Sequence, residues 1–312
     1  MVVLNERKIL ITGANGFIGS HLVKKFSDLG HHVFAMCRET SRLQLLDDKK
    51  KNISIVIGDI NNSDRISYIL NKCRPDIIIN CAAAGVDPTL TKASNLFKVN
   101  ASAAVDLMEA ASLNGVGRFV QLGSCFEYGN HTGQINESMT INPSTLYASS
   151  KAAASIVLPL LAKQKKIEYV LLRPFGVWGP NEADHRVVPQ LCRALLRGQV
   201  LKMTPCEQLR DYTYVSDLVA WIAQISCLEV FPDCSVINLG SSGVRLKDFL
   251  LEIASYIGDP SLLQFGEVPY RENEMMSLVA DTTALNNIIG PRALTPTKEG
   301  ANEVLDWLRS CA

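Results

Sequence analysis

The first half of the chain alternates short runs of apolar, often β-branched residues with longer segments in which apolar residues recur at helical spacing. Such alternation is typical of a parallel sheet that carries helices on both faces, so the pattern predicts an α/β fold. The predicted strands cover residues 8–12, 33–36, 53–57, 77–80 and 118–122, and the predicted helices lie near residues 17–29, 40–48, 63–72 and 89–113.

A further helix is predicted from about residue 144 to 165, followed by a strand over residues 168–173. Ser144 and Thr145 follow a proline, and a Ser or Thr in this position is a favourable helix start. Pro159 lacks a backbone N–H, so we expect it to kink or end the helix near Leu158.

Beyond Arg173 the elements become shorter and prolines punctuate them more often. This change predicts a domain boundary near residue 175. Residues 1–175 would then form the sheet domain, and residues 176–312 would mainly form a smaller domain, part of which returns to the sheet.

Composition limits the classes of partner. The 312 residues are 47% hydrophobic, and 31 basic residues balance 31 acidic ones, so no net charge attracts nucleic acid or an anionic membrane. The nine cysteines are scattered without a C-x-x-C pair, which favours reduced thiols, and no metal site is predicted. The first residues do not resemble a signal peptide, and no apolar run reaches membrane-spanning length, so we expect a soluble, cytoplasmic protein.

A glycine-rich turn follows the first predicted strand directly. Its spacing is G-x-x-G-x-x-G, and an ordinary strand-to-helix loop is the alternative interpretation. The position between a strand and a helix favours dinucleotide binding, because glycines let a pyrophosphate approach the backbone and the helix start offers its amides. The predicted contacts are Gly13, Asn15, Gly16, Phe17, Ile18 and Gly19.

The end of the second strand indicates which dinucleotide binds. An NAD site usually places an acidic residue here to bind the ribose, but the strand ends in Cys37 and Arg38. Arg38, with Arg42 one turn further on, can instead pair with a 2′-phosphate, so NADP is the predicted cofactor. NAD stays the alternative, with Glu39 binding the ribose.

Two later strand ends also fit a nucleotide cleft, because ligands of open α/β sheets lie beyond the carboxyl ends of the strands. Asp59 and Ile60 follow the third strand, where the carboxylate can meet the adenine amino group. Ala82 and Ala83 follow the fourth, where small side chains admit a cofactor. Asp59 is equally explained as a turn-forming residue.

Tyr147 and Lys151 lie four residues apart on the predicted helix and therefore share one face. An ammonium group beside a tyrosine lowers the phenol pKa from its usual value near 10, which creates a general acid and base. Tyr-x-x-x-Lys alone is often a chance surface pair. Ser124, at the end of the fifth strand, strengthens the interpretation because its hydroxyl can donate a hydrogen bond to a carbonyl oxygen.

Seven segments together resemble one family: T-G-A-N-G-F-I-G, G-D-I, N-C-A-A, S-C-F-E-Y-G, Y-A-S-S-K, L-R-P-F-G-V-W-G-P and R-D-Y-T-Y-V-S-D-L-V. The chain resembles the extended short-chain dehydrogenase/reductase family, in the NAD(P)-dependent epimerase/dehydratase branch that acts on nucleotide sugars. The resemblance implies a doubly wound Rossmann-type sheet that binds NAD(P) within residues 1–175, and a nucleotide-sugar domain mainly within residues 176–312.

The resemblance also implies roles for individual residues. Ser124 and Tyr147 would contact the reacting oxygen, while Lys151 would bind the nicotinamide ribose and tune Tyr147. Asn100 would be a structural or cofactor-side residue. Arg210 and Arg271 would bind the diphosphate of the sugar nucleotide; a fixed guanidinium suits that group, and an Arg210–Asp211 surface pair is the alternative.

A homodimer is implied as well, because in many relatives the helix predicted near residues 89–113 and the helix that carries Tyr147 pair across a two-fold axis. An apolar stripe on the first of these helices is equally explained by core packing.

Two departures from the family pattern narrow the reaction. Sugar 4,6-dehydratases of this branch carry an Asp-Glu pair directly after the residue matching Ser124, because elimination needs an extra acid and base. Cys125 and Phe126 stand there, which disfavours dehydration. Gly176 replaces an Asn that contacts the sugar nucleotide in many relatives.

Three functions remain. The sequence favours NADPH-dependent reduction of the 4-keto group of a nucleotide-linked 4-keto-6-deoxyhexose, a step of deoxysugar biosynthesis. The alternative is a nucleotide-sugar 4-epimerase with tightly bound NAD(P), which would use the same three side chains. A non-catalytic NADP-binding regulator is disfavoured, because Ser124, Tyr147 and Lys151 are all present.

Overall fold

The computed structural model describes residues 6–39, 46, 50–85, 92–233, 235–272 and 274–311. Within them the strands are β1 (Lys8–Thr12), β2 (His32–Cys37), β3 (Ile53–Ile57), β4 (Ile77–Asn80), β5 (Arg118–Leu122), β6 (Gln134–Ile135), β7 (Glu168–Pro174), β8 (Val177–Trp178), β9 (Leu201–Met203), β10 (Leu209–Asp211), β11 (Thr213–Tyr214), β12 (Ser235–Leu239), β13 (Gly243–Arg245), β14 (Leu263–Phe265) and β15 (Ser277–Ala280).

The α-helices of the same residues are α1 (Phe17–Asp28), α2 (Ser63–Cys73), α3 (Ala93–Phe97), α4 (Ala103–Leu113), α5 (Leu146–Lys165), α6 (Val187–Leu196), α7 (Val215–Cys227), α8 (Leu246–Ile257), α9 (Thr283–Ile289) and α10 (Thr297–Ser310). A π-helical segment, Lys98–Ser102, joins α3 to α4. None of the described helices is both long and apolar enough to cross a bilayer.

Seven strands form the central sheet in the order β12-β7-β5-β4-β1-β2-β3. The adjacent pairs from β3 to β7 are all parallel. The strand order reverses between β1 and β4, which is the point where ligands bind in doubly wound sheets. The predicted α/β fold with a Rossmann-type parallel sheet is therefore confirmed.

The sheet forms because its strands are short apolar runs that helices bury on both faces. The strand Ile77-Ile78-Ile79 of β4 is fully buried, and Phe119 of β5 stacks near Tyr169 of β7 with 6.4 Å between ring centroids. The helices α2, α4 and α5 cover this core with side chains such as Ile69, Leu107, Met108, Leu158 and Ala162.

Helix α5 corrects one expectation. Thr145 caps its start, since the Thr145 hydroxyl accepts a hydrogen bond from the Ala148 amide at 3.1 Å. The helix does not end near Leu158, however, but continues through Pro159 to Lys165. Burial of Ala154, Leu158 and Ala162 on both sides of the proline stabilises the helix enough to offset the missing backbone hydrogen bond.

Two other predicted helices differ from the described structure or lie outside it. The helix predicted near residues 40–48 lies outside the described residues apart from residue 46. The long helix predicted near residues 89–113 is three consecutive segments, α3, the π-helical turn and α4, over residues 93–113; residues 89–91 lie outside the described part.

The chain divides into two compact units. The first contains the chain up to Gly129, Thr140–Arg173 and Val219–Ile237, and the second contains Asn130–Met139, Pro174–Leu218 and the chain from Asn238 onward. One change of unit lies at residue 174, and β12 of the later chain belongs to the central sheet. The assignment of binding roles to two domains stays a prediction.

The second unit has its own small sheet, in the order β13-β10-β15-β6. Its helices pack around aromatic side chains: the Tyr212 and Phe249 rings stack at 4.3 Å, and Trp178 lies 5.0 Å from Tyr214 between centroids. The departure at Gly176 has a physical reason here. A Cβ at this position would lie 2.0 Å from the Asp211 carbonyl oxygen, so the Asn of many relatives would not fit.

Candidate active site

The glycine turn after β1 lies directly against the backbone after β4. Gly13 has a φ of +63°, and a Cβ on it would lie 2.9 Å from the Ala82 amide nitrogen. A Cβ on Gly19 would lie 2.2 Å from the Gly13 carbonyl oxygen. The two glycines therefore let β1, α1 and the β4 loop meet, while Gly16 stays exposed at the start of α1.

This turn fits a dinucleotide. The chain enters α1 at Phe17 with Gly16 as its N-cap residue, and this glycine has no side chain to accept hydrogen bonds from the first amides. Asn15, Phe17 and Ile18 are part-buried around them. Amides in this position, together with the positive end of the helix, suit phosphate oxygens.

The ends of β2 and β3 lie side by side, because the Gly58 amide donates to the Cys37 carbonyl at 2.8 Å. Arg38 and Glu39, which follow β2, are both exposed, and Arg42 lies outside the described residues. Asp59 is exposed, and its Oδ1 accepts from the Asn61 amide at 2.8 Å, so it forms the turn suggested as its alternative role. Ile60 is buried beside it.

The loop after β4 runs along the helix that carries Tyr147. Ala82 is part-buried and Ala83 is exposed. Further along, Gly85 has a φ of +89°, and a Cβ on it would lie 3.1 Å from Cδ2 of the Tyr147 ring. The absence of a side chain at residue 85 thus lets the backbone pass the part-buried tyrosine.

Asn100 ties this loop to α5. Its Oδ1 accepts from the Ala84 amide at 2.8 Å, and its Nδ2 donates to the Ala84 carbonyl at 3.0 Å and to the Ser150 hydroxyl at 2.9 Å. Ser150 in turn donates to the Tyr147 carbonyl at 2.7 Å. Asn100 lies in the π-helical segment, whose wider turn presents its buried side chain to both partners.

Lys151 is buried one turn after Tyr147, with 3% of its surface exposed. Its ammonium group donates to the backbone carbonyl of Leu122, at the end of β5. Burial lowers the pKa of Lys151, and the nearby Glu127 carboxylate partly opposes this effect. A buried lysine with this geometry is typical of functional sites.

A buried chain of side-chain hydrogen bonds leads to the same carbonyl. The Thr12 hydroxyl donates to Asn80 Oδ1 at 2.6 Å, Asn80 Nδ2 donates to Gln121 Oε1 at 2.8 Å, and Gln121 Nε2 donates to the Leu122 carbonyl at 2.9 Å. Sequence reasoning missed Asn80 and Gln121 as site residues. The signal was available as polar residues at the ends of strands that lie next to each other, since β1, β4 and β5 pair in register at Thr12, Asn80 and Gln121.

Ser124 begins a tight turn that follows β5. Its hydroxyl accepts from the Phe126 amide at 3.3 Å, and its own amide donates to Glu127 Oε1 at 2.7 Å. Glu127 is fully buried and paired with Arg173 at 3.0 Å. The structure therefore places Ser124 two residues beyond the carbonyl that Lys151 contacts; Glu127 and Arg173 were not singled out by their sequence pattern.

The two arginines expected at the diphosphate lie in the second unit. Arg210 Nη2 contacts Glu274 Oε1 at 2.8 Å and also donates to the Met275 carbonyl. Asp211 is buried and accepts from the Ala280 amide at 2.6 Å, so the suggested Arg210–Asp211 surface pair is wrong. Arg271 is exposed in the loop that also contains Glu274.

These observations describe a glycine turn, a buried lysine and a serine at the carboxyl edge of a parallel sheet. The family model described as the NAD dependent epimerase/dehydratase family matches residues 9–239. The chain belongs to this family. Its members are NAD(P)-dependent enzymes of nucleotide-sugar metabolism, so the expected family and cofactor class are confirmed.

Individual relatives of the family have different reactions. The chain is 27% identical to UDP-glucose 4-epimerase of Mycolicibacterium smegmatis, covering 97% of this chain and 99% of that protein. It is 25% identical to dTDP-D-glucose 4,6-dehydratase of Bos taurus, covering 97% and 89%. The structure of MoeE5 in complex with UDP-glucuronic acid and NAD superposes with a TM-score of 0.84 at 28% identity, covering 98% and 100%. Sequence identity alone therefore does not show which of the family's reactions this protein catalyses.

Proposed function

We propose that the protein reduces the 4-keto group of a nucleotide-linked 4-keto-6-deoxyhexose with NADPH. The observation that carries this proposal is the end of β2, where an exposed arginine, Arg38, stands in place of the acidic residue usual for NAD. A guanidinium suits the 2′-phosphate of NADPH. A reductase needs a cofactor that exchanges after each turnover, and NADPH is suited to that role.

The cofactor would occupy the carboxyl edge of the sheet. Its pyrophosphate would lie over the glycine turn of Gly13, Gly16 and Gly19, with Asn15, Phe17 and Ile18 around it. Asp59 and Ile60 would lie at the adenine, and Ala82 and Ala83 would line the cleft. Asn100 would hold the loop after β4 in place, as its contacts with Ala84 indicate.

When bound, the nicotinamide supplies the hydride for the reduction. The protein supplies the acid. The Ser124 hydroxyl accepts from the Phe126 amide through a lone pair, so its proton can donate to the substrate carbonyl oxygen. Tyr147 would transfer its proton to the oxygen that becomes the alcohol, and Lys151 would stabilise the phenolate that remains.

Substrate recognition would involve Arg210 and Arg271. The contact between Arg210 and Glu274 orients the guanidinium, whose remaining donors can bind a diphosphate. Dehydration is not part of the proposal. The residues after Ser124 are Cys125 and Phe126, which offer no carboxyl group for an elimination.

A 4-epimerase is the second candidate. It is supported by 27% identity over almost the whole chain to a UDP-glucose 4-epimerase, and by the NAD in the similar MoeE5 structure. The same three side chains would serve both directions of proton transfer. An epimerase would return the hydride to the sugar and would therefore keep its cofactor bound.

We also propose that the protein is a cytoplasmic homodimer. Helix α5 exposes Leu146, Ile156, Val157 and Leu160 on one face, with between 44% and 71% of each side chain accessible. A second copy of the chain would cover this face, and light scattering after size exclusion measures the resulting mass. The cytoplasm is favoured because the nine cysteines are scattered along the sequence without a C-x-x-C pair, a pattern typical of reduced thiols.

The deciding experiment identifies the cofactor. Purified protein is denatured, any released nicotinamide nucleotide is identified by chromatography, and the native protein is titrated with NADPH and NADH. An empty site that prefers NADPH supports the reductase and leads to assays with nucleotide-linked 4-keto-6-deoxyhexoses. One equivalent of tightly held NAD would overturn the reductase and support the epimerase.

A further inference from the structure

Glu127 is a fully buried carboxylate at the end of the short helical turn Cys125–Tyr128. Its Oε1 accepts from the Ser124 amide at 2.7 Å, and its Oε2 accepts from Arg173 Nε at 3.0 Å. Burial of a carboxylate is costly unless it is paired and hydrogen-bonded. Both oxygens therefore have partners, and one of those partners is the backbone of Ser124.

The backbone of Gly123, next to Ser124, packs closely against this ion pair. A Cβ on Gly123 would lie 2.7 Å from Glu127 Oε1 and 3.1 Å from Cγ of Arg173. The guanidinium of Arg173 lies 4.4 Å from the centre of the Tyr128 ring, which fixes it from the other side. The ion pair thus lies directly against the loop that leads from β5 to the serine.

Glu127 fixes the Ser124 turn from both ends. The Ser124 side chain accepts from the Glu127 backbone, while the Glu127 side chain accepts from the Ser124 amide at 2.7 Å. This reciprocal arrangement is a capping box. It holds the backbone of Ser124 and so fixes the direction of the Ser124 hydroxyl.

The same carboxylate acts on Lys151. Burial lowers the pKa of Lys151, and Glu127 opposes that effect. Cys81 also faces Lys151 from the end of β4, but burial raises the pKa of this thiol to about 12, so it is uncharged at neutral pH. Tyr147 lies one turn away on α5, and Arg173 pairs with Glu127 at 3.0 Å.

We propose that Glu127 is a positioning residue for the reaction: its carboxylate holds the turn that presents the Ser124 hydroxyl, and its buried negative charge lies on the same Leu122–Ser124 segment that Lys151 contacts, where it favours the ammonium form of that lysine. The fully enclosed side chain does not reach substrate. The inference rests on the proposed function, which assigns Ser124 and Lys151 to the reacting centre.

The first test compares Glu127→Gln with Glu168→Gln. Glu168 also pairs with an arginine, Arg118 at 2.7 Å, but at the amino ends of β5 and β7. The measurement is kcat and KM against pH, with NADPH and a nucleotide-linked 4-keto-6-deoxyhexose. We expect Glu127→Gln to lower kcat at least about tenfold with a smaller change in the KM for NADPH. The alkaline pH at which activity falls should be lower in Glu127→Gln than in wild type, because Lys151 would lose its proton at a lower pH. Glu168→Gln should behave as wild type.

The second test does not depend on turnover. Protein labelled with ¹³C at the lysine ε-carbons is titrated by NMR, and the Lys151 signal is assigned by its absence from Lys151→Met. The Lys151 midpoint should move to lower pH in Glu127→Gln. If wild type converts no nucleotide sugar, the proposed function fails while this titration still tests Glu127. An unchanged midpoint, or a wild-type kcat and pH profile in folded Glu127→Gln, would overturn the inference.

A third variant separates the two roles and covers the case in which Glu127→Gln does not fold. Glu127→Asp keeps the charge but is one methylene shorter, so it loosens the contact with the Ser124 amide. We expect it to keep the Lys151 midpoint near that of wild type while kcat still falls. A shifted midpoint in folded Glu127→Asp, or an unchanged kcat, would contradict this division of roles.

Discussion

The ammonium group of Lys151 donates a hydrogen bond to the backbone carbonyl of Leu122, two residues before Ser124. The same carbonyl also accepts from Gln121 Nε2 at 2.9 Å. One backbone oxygen therefore joins the helix that carries Tyr147 to the buried polar chain across β1, β4 and β5. The lysine is therefore anchored by the backbone of the sheet.

The Lys151→Met variant should be more stable than wild type but less active. The buried ammonium opposes folding, and its removal leaves the Leu122 carbonyl bonded to Gln121, so the free energy of unfolding should rise by about 1 kcal/mol at neutral pH. Turnover should fall sharply. Urea denaturation followed by circular dichroism measures the first effect.

The pH dependence of this difference follows from linkage. The pKa of Lys151 in the folded protein lies below its ordinary value of 10.5. Between those two values the unfolded chain binds more protons, so wild-type stability gains relative to Lys151→Met as pH rises. The advantage of the variant should therefore shrink as pH approaches 10.5. An advantage that grew with pH would contradict the buried charge.

Removal of the Tyr147 hydroxyl tests the proposed acid. Tyr147→Phe should lower turnover by about 10²–10⁴-fold, because general acid catalysis contributes that much. NADPH affinity should change little. Tyr68→Phe is the matched control, since Tyr68 is 54% exposed on α2. Turnover that survives in Tyr147→Phe would show that another group transfers the proton.

The side chains of Asn80 and Gln121, which belong to the buried series of hydrogen bonds, should contribute to stability in a coupled way. Gln121→Leu leaves Asn80 Nδ2 without its partner, so we expect a loss of about 1–3 kcal/mol in the free energy of unfolding. Asn80→Leu should cost a similar amount. The double variant should cost less than the two losses added, because the second substitution removes a group that is already unpaired. Chemical denaturation of all four proteins measures the coupling, and simple additivity would show that the two side chains act independently.

The strands of the first half were predictable because each is an apolar run between polar or glycine residues. The observed β1, β3, β4 and β5 have the predicted bounds. The π-helical segment at Lys98–Ser102 was not predictable, since one wider turn hardly changes the apolar spacing over five residues. The predicted end of the helix at Pro159 was wrong because local propensity was given more weight than the packing of α5.

Candidate site residues could be named from the sequence where a motif contains them, but not where the interacting partners are distant in the chain. Ser124, Tyr147 and Lys151 stand in recognisable segments. Glu127 and Arg173 are 46 residues apart, and they pair because β5 and β7 are neighbours in the sheet. A single residue pattern does not encode that adjacency, but the order of the strands does.

The close packing of the glycine turn can be separated from its unusual backbone angle. Gly13 and Gly115 have φ of +63° and +71°, but a Cβ on Gly115 would meet nothing within 4 Å. Gly115→Ala should therefore cost about 1 kcal/mol of stability and leave NADPH binding unchanged. Gly13→Ala should also displace the backbone at Ala82 and weaken NADPH binding at least about tenfold. Isothermal titration of both variants measures this difference, and equal affinities would remove the turn from the cofactor site.

Arg38 distinguishes the two candidate functions most directly. If its guanidinium binds the 2′-phosphate, Arg38→Ser should weaken NADPH binding by about 10–100-fold, the value of one or two charge-assisted hydrogen bonds, while NADH binding is unchanged. Arg197→Ser is the control, because Arg197 is an exposed arginine that follows α6 in the second unit. Fluorescence titration with both nucleotides provides the two affinities for each variant. An equal loss for NADPH and NADH would show that Arg38 does not distinguish the phosphate, and it would remove the main observation that favours an exchangeable NADPH over a resident NAD.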